Sequence, residues 1–223
     1  VLDAGTGMFR LAPHLLTDEV DILLSHSHLD HVVGLTYLLD VFHQRPMRCV
    51  RVWGQARFLA AIQTHVFNES IFPAMPKIDW CPLDGSSGAS PGAQHRSAWK
   101  LTWFELEHPG GSTGFRLDWP DRSLAYITDT IAREHSPYAD QLHGVDLLLH
   151  EAHFRDNRPE LAERTGHSTI GAAVAMAVRS RVKRLALVHH NPLDDQASIG
   201  ALERYRAMMP NLVVAEDRME IEF

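Results

Sequence analysis

The sequence predicts an α/β protein, on three observations. Apolar runs with strand character alternate with amphipathic runs at helical spacing along most of the chain. Residues able to bind metal or move protons fall at or just past the C-terminal ends of the strands, where α/β proteins build their sites. The 223 residues, 45% of them hydrophobic, suffice for a real core, so a single domain over residues 1–223 is expected.

The elements follow in order. Val1-Leu2-Asp3 reads as the end of a strand, so further residues are expected before Val1. Ala4-Gly5-Thr6-Gly7 is a glycine turn leading into a short helix at 8–16. Residues 20–24 form a buried strand, 32–43 a helix, 48–53 a strand and 56–67 a helix. The Gly-, Ser- and Pro-rich segment 84–97 reads as a surface loop. Strands at 100–107, 112–119 and 123–128 come next, with Trp119-Pro120-Asp121-Arg122 as a hairpin turn. A buried strand at 145–149 leads through a polar loop to a helix at 170–179, with Ser168 or Thr169 as its N-cap. A strand at 184–188, a helix at 195–208 and closing strands at 212–215 and 219–223 complete the chain.

Composition removes several classes. Acidic residues outnumber basic ones by 28 to 21, a net charge of −7, which argues against an extended nucleic acid held along a broad basic surface. A small anion at a local metal site stays compatible with that charge. No apolar run approaches the length of a membrane span, no basic leader is visible, and no membrane partner is expected. Cys49 and Cys81 lie in no CxxC pair, so no disulfide scaffold is indicated and a cytoplasmic location is expected.

One stretch carries most of the chemistry. Ser25-His26-Ser27-His28-Leu29-Asp30-His31 places three imidazoles and a carboxylate between a strand and a helix. His26 and His28 are two apart in extended chain and point to one side. Asp30 and His31 follow the turn and can face a neighbouring position. That spacing suits two ions, and neutral imidazole with carboxylate suits zinc, with manganese or iron as alternatives. Two neighbouring ions need a bridging anion, and Asp129 is the best-placed carboxylate. His108 would complete the first ion's ligands and His189 the second's. The ions would outweigh the charge of Asp30, Asp129 and one bridging anion, so the site would attract a phosphodiester and acidify water.

These residues resemble the metallo-β-lactamase superfamily of binuclear metal hydrolases. The HxHxDH motif stands as His26-Ser-His28-Leu-Asp30-His31, and Asp3-Ala-Gly-Thr-Gly7 is similar to the first family motif. His108 matches the third histidine, Asp129 the bridging aspartate and His189 the last histidine. The resemblance implies a four-layered αβ/βα sandwich, the metallo-β-lactamase fold, with its first strands lying before Val1. It implies two divalent ions, and support of the site by Asp3. Related enzymes imply a homodimer.

Within the superfamily the chain resembles ribonuclease Z and related phosphodiesterases. His150-Glu151-Ala152-His153-Phe154 is similar to the HEAT segment of that branch and Gly166-His167-Ser168-Thr169 to its HST segment. The resemblance implies that His167 contacts the scissile phosphate and protonates the leaving group while Glu151 orients it; Asp30 holds a metal and helps orient the attacking water. Two departures point away from tRNA. The long arm that grips tRNA in ribonuclease Z has no room between His108 and Asp129, and His189-His190-Asn191-Pro192 replaces the motif that follows the last histidine there. The expectation is a phosphodiesterase acting on small or cyclic phosphodiesters. A ribonuclease Z-like RNA endonuclease, a thioesterase or lactonase, and a non-hydrolytic di-iron oxygen or redox sensor are the competing readings.

Overall fold

A computed structural model describes residues 1–85, 87–91, 99–191, 193 and 202–223. The chain divides into two compact units, Val1–Gly85 and Ser86–Phe223.

The first unit is built on a parallel sheet of β1 (Glu19–Leu23), β2 (Cys49–Gln55) and β3 (Asp79–Leu83), in that spatial order. Alternate residues of β1 and β2 share a face, so Val20, Ile22, Val50 and Val52 are all buried. They enter one core with Leu59 and Ile62 of α3 (Ala56–His65) and Leu38 and Val41 of α2 (Leu38–Gln44). The intervening positions are polar and pair across strands. Arg51 reaches Asp21 through Nε at 2.7 Å and Glu19 through Nη2 at 2.9 Å, and Trp53 Nε1 donates to Asp21 at 2.8 Å.

The helix expected at 32–43 is broken into α1 (Leu29–Val32), a 3₁₀ turn over Val33–Tyr37, and α2. Gly34 explains the break. Its N–H donates to Ala4 O at 2.7 Å, not to a carbonyl of its own helix. A Cβ there would meet Gly5 O at 2.1 Å, so only glycine allows the two loops to approach. The helix expected at 8–16 is instead two 3₁₀ turns, Thr6–Arg10 and Ala12–His14, the second containing Pro13, which has no N–H to give.

The second unit is built on a seven-stranded sheet, ordered β10-β9-β8-β7-β6-β5-β4. The strands are β4 (Ser87–Pro91), β5 (Lys100–Leu106), β6 (Ser112–Asp118), β7 (Ser123–Ile127), β8 (Leu147–Glu151), β9 (Arg184–Val188) and β10 (Leu212–Val214). β4 to β7 are antiparallel neighbours, and β7 to β10 are parallel. The parallel step from β8 to β9 needs a crossover, supplied by α4 (Pro159–Thr165) and α5 (Ile170–Arg179). β8 and β9 therefore read as near-continuous apolar runs, the mark of strands covered on both faces. Leu148, Leu185 and Leu187 pack into one core with Ala173, Val174 and Ala177 of α5. Each such fully buried leucine contributes about 1.5–3 kcal/mol.

Two expectations are corrected here, and a third lies partly outside the described residues. Segment 84–97 is not all loop, since β4 pairs antiparallel with β5; its residues 86 and 92–97 lie outside the described residues. Residues 219–223 join no strand. Phe223 is held by side chains instead, with its ring 6.4 Å from Trp119 and the Arg122 guanidinium 5.5 Å from its centroid. Of the helix expected at 195–208, α6 (Glu203–Met208) is described, and its expected beginning lies outside the described residues.

Candidate metal centre

In the first unit the histidine-rich turn hangs on Asp3. The Asp3 carboxylate accepts from Ser25 N at 2.7 Å and Ser25 Oγ at 2.8 Å, and its Oδ2 lies 2.7 Å from Nδ1 of His31. A carboxylate only accepts, so His31 carries its hydrogen on Nδ1 and keeps a lone pair on Nε2. The same logic reaches His26. Ser25 Oγ spends its hydrogen on Asp3, so it accepts from His26 Nδ1 at 2.9 Å, again leaving Nε2 with the lone pair. Both rings are thereby prepared as Nε2 donors, oriented by an outer partner as metal-binding imidazoles usually are.

The three rings converge. The centroid of His26 lies 4.4 Å from those of both His28 and His31. His26 and His31 are buried, whereas the Asp30 side chain is 65% exposed and stands 3.4 Å from His31 Nε2. Gly5 makes this turn possible from below: a Cβ there would meet Asp30 O at 2.7 Å.

In the second unit Asp129 is the hub. It is buried just past the end of β7. Its Oδ2 stands 3.5 Å from His108 Nε2 and its Oδ1 3.3 Å from His189 Nε2. Each carboxylate oxygen thus faces a different histidine. His108 Nδ1 donates to Gly166 O at 2.8 Å, so its lone pair lies on Nε2. Gly166 is required at that contact, because its φ is +80° and a Cβ would meet Pro109 Cδ at 2.2 Å and His108 Nδ1 at 2.8 Å.

Backbone strain collects at these positions. Asp3, Asp129 and His189 all have left-handed φ, at +52°, +45° and +53°. Aspartate and histidine tolerate that region better than most residues, but each still costs about 1–3 kcal/mol and persists only where the surroundings enforce it.

Beside Asp129 lies a second constellation. Glu151, fully buried at the end of β8, accepts from Thr130 N at 2.9 Å through Oε1 and from His153 N at 3.0 Å through Oε2. Its Oε1 also lies 3.1 Å from His167 Nδ1. The His167 ring sits 5.1 Å from that of His108 and 5.6 Å from that of His189. Ser168 fixes this loop: its Oγ donates to Thr130 O at 2.7 Å and accepts from Ala132 N at 2.9 Å. Thr169 Oγ1 caps α5 by accepting from Ala172 N at 3.3 Å.

His153 is the residue the motif reading left without a role. Its ring stacks on His167 at 4.5 Å, and burial lowers its pKa, helped by the neighbouring His167 and His189. Its place two residues past Glu151, at the same strand end, was the available signal.

The donor chemistry fits divalent metal ions: buried imidazoles with Nε2 lone pairs, and a buried carboxylate with a histidine on each oxygen. The comparisons agree with that chemistry. Residues 1–190 match the beta-lactamase superfamily domain, and the chain belongs to that superfamily of metal-dependent hydrolases. It has the metallo-β-lactamase fold and is similar to the ribonuclease Z and phosphodiesterase-like members.

Ribonuclease Z of Gemmatimonas aurantiaca is 23% identical over 256 aligned residues, covering 91% of this chain and 79% of that protein. Other ribonuclease Z sequences match at higher identity, 34% and 43%, over 31% and 22% of their own lengths. The human short-form tRNase Z superposes with a TM-score of 0.72 at 22% identity, covering 99% of this chain and 86% of that one. A diphosphatase of the PhnP family superposes with a TM-score of 0.70 at 19% identity, covering 100% and 79%. Among the described residues no helix is long and apolar enough to cross a membrane.

Proposed function

We propose that the chain is a binuclear metal-dependent phosphodiesterase acting on small or cyclic phosphodiesters. His26, His28, Asp30, His31, His108, Asp129 and His189 are the ligands in this reading. The observation that carries it is the Glu151–His167 pair at 3.1 Å beside Asp129. A thioester expels a thiolate, which leaves without a proton, so a thioesterase gains little from such a pair; a phosphodiester must expel an alkoxide, which benefits from a positioned proton donor.

Bound divalent ions, zinc first with manganese or iron(II) as alternatives, would supply an acidified water and neutralise the phosphate. The chain's own residues do the rest. Asp3 and Ser25 hold His31 and His26 in the ligating tautomer. Asp30 adds a carboxylate to the ligands and helps orient the attacking water. Glu151, pinned by Thr130 N and His153 N, fixes the His167 ring through its Nδ1. His167 then delivers a proton from Nε2 to the departing oxygen.

The connection from His108 to Asp129 supports a small substrate. It consists of a glycine turn, β6, the turn at 119–122 and β7. The net charge of −7 disfavours an extended polyanion, and two free cysteines fit a reducing cytoplasm; a homodimer is part of the same reading. The ribonuclease Z similarity favours one second reading, cleavage of a structured RNA at the same residues.

A substrate screen tests both. Metal-loaded protein is offered bis-p-nitrophenyl phosphate, 2′,3′- and 3′,5′-cyclic nucleotides, an RNA hairpin with a 3′ extension, a thioester and a lactone. Turnover of the small phosphodiesters is expected. Preference for the hairpin would support the second reading, and hydrolysis of no phosphodiester would overturn both.

A further inference from the structure

His153, His167 and His189 each present one imidazole nitrogen within 4.8 Å of the other two. The rings of His153 and His167 are nearly parallel, 21° apart, and His153 lies 5.3 Å from His189 by centroid. Nδ1 of His153 faces His189 O at 3.3 Å, and Nδ1 of His167 faces Glu151 Oε1. Both partners can only accept, so both Nδ1 atoms carry hydrogen and the neutral rings keep their lone pairs on Nε2.

Mere packing would need only the flat faces of these rings. Two imidazoles of matched tautomer with a third in reach form a donor set for a cation. The triad holds no carboxylate, so it favours zinc, copper or nickel over magnesium or calcium.

We propose that His153, His167 and His189 form a further site for a borderline divalent cation, with zinc as the natural occupant, filled when metal exceeds the ions held by the proposed ligands. His153 and His167 are its fixed donors, since Glu151 holds the backbone of one and the ring of the other. His189 can serve only one ion at a time through Nε2, which also faces Asp129 at 3.3 Å, so while the proposed ligand set holds it the triad is left with two protein donors and is the weaker site. A cation on His167 Nε2 takes the lone pair that otherwise carries the proton. Where the phosphodiesterase reading holds, occupancy therefore inhibits, and free zinc becomes a brake on turnover.

Metal binding reads the site independently of catalysis. The full chain is stripped of metal and titrated with zinc by calorimetry and with cobalt(II) by visible absorption, as wild type, His153→Ala and His153→Gln. The wild type is expected to take up a weaker equivalent after the tight ones. Both variants should bind that equivalent at least about tenfold more weakly, with the tight ones and the melting temperature unchanged. The zinc concentration that halves turnover should rise by the same factor. A wild type without a weaker equivalent overturns the proposal and needs no variant. Identical isotherms in wild type and a folded His153→Gln protein overturn it as well. Failure of wild-type turnover would count against the phosphodiesterase reading alone.

Discussion

Glu151 and His167 are sixteen residues apart in sequence, yet Oε1 of the first lies 3.1 Å from Nδ1 of the second. Glu151 is fully buried, and two backbone N–H groups hold its oxygens. The imidazole is therefore aimed by a partner that cannot move. Replacing His167 by Ala should lower turnover of a cyclic nucleotide, whose leaving oxygen is an alkoxide, by about 10²–10⁴-fold, the usual contribution of a positioned acid. The tightly held metal, read by elemental analysis after excess ions are removed, should stay at the wild-type value. Loss of metal together with turnover would reassign His167 as a ligand.

Asp3 offers a cleaner test of outer support than most second-layer residues. Its backbone is left-handed, a conformation that asparagine adopts as readily as aspartate. Asp3→Asn thus keeps the backbone conformation while removing the charge and setting an amide NH2 where Ser25 and His31 need an acceptor. Metal affinity should fall about 10–100-fold in a chelator competition assay. An unchanged affinity would show that the Asp3–His31 contact at 2.7 Å only serves the fold.

Gly166 joins the fold to the site through its carbonyl. Gly166→Ala would force a side chain into a left-handed backbone and against Pro109 and His108. A loss of more than about 1 kcal/mol is expected in urea unfolding. Weaker metal binding should accompany it, because His108 Nδ1 would lose its fixed acceptor. Wild-type stability in this variant would mean that the 166–169 loop shifts at little cost.

His150 gives a pH signature away from the proposed ligands. It is fully buried, its Nδ1 donates to Glu151 O at 2.7 Å, and its Nε2 lies 3.2 Å from the Tyr138 hydroxyl. Burial pushes its pKa below the ordinary histidine value, against a smaller opposing pull from Glu151. The unfolded chain then binds a proton that the folded chain refuses. The contribution of His150 is complete above its unfolded pKa, about 6.5, and is lost as pH falls below it. The variant His150→Asn should flatten the fall in melting temperature between neutral and mildly acidic pH. An unaltered slope would place the titrating group elsewhere.

Much of this was legible in the sequence because it is local. Ile170–Arg179 and Arg184–Val188 have the predicted limits, each bounded by a cap or a turn and filled with apolar residues of one periodicity. The His26–His31 turn needs only neighbours to be recognised. Other elements defeated the pattern for definite reasons. β3 contains Pro82 and half-exposed residues, so it lacks the alternation of a strand. The polar helix Pro159–Thr165 buries only Ala162 and shows no apolar stripe to read.

Taken alone, the sequence determined the α/β class, the strand ends at which His108, Asp129, Glu151 and His189 stand, and the chemical type of every donor. The tertiary structure alone decided which oxygen of Asp129 faces which histidine, which nitrogen of His108 donates to Gly166 O, and that His153 stacks on His167. Residue type and strand periodicity are written in short stretches of chain. Tautomer and ring orientation depend on acceptors such as Gly166 O, 58 residues from His108, and only folding brings these within a hydrogen bond of each other.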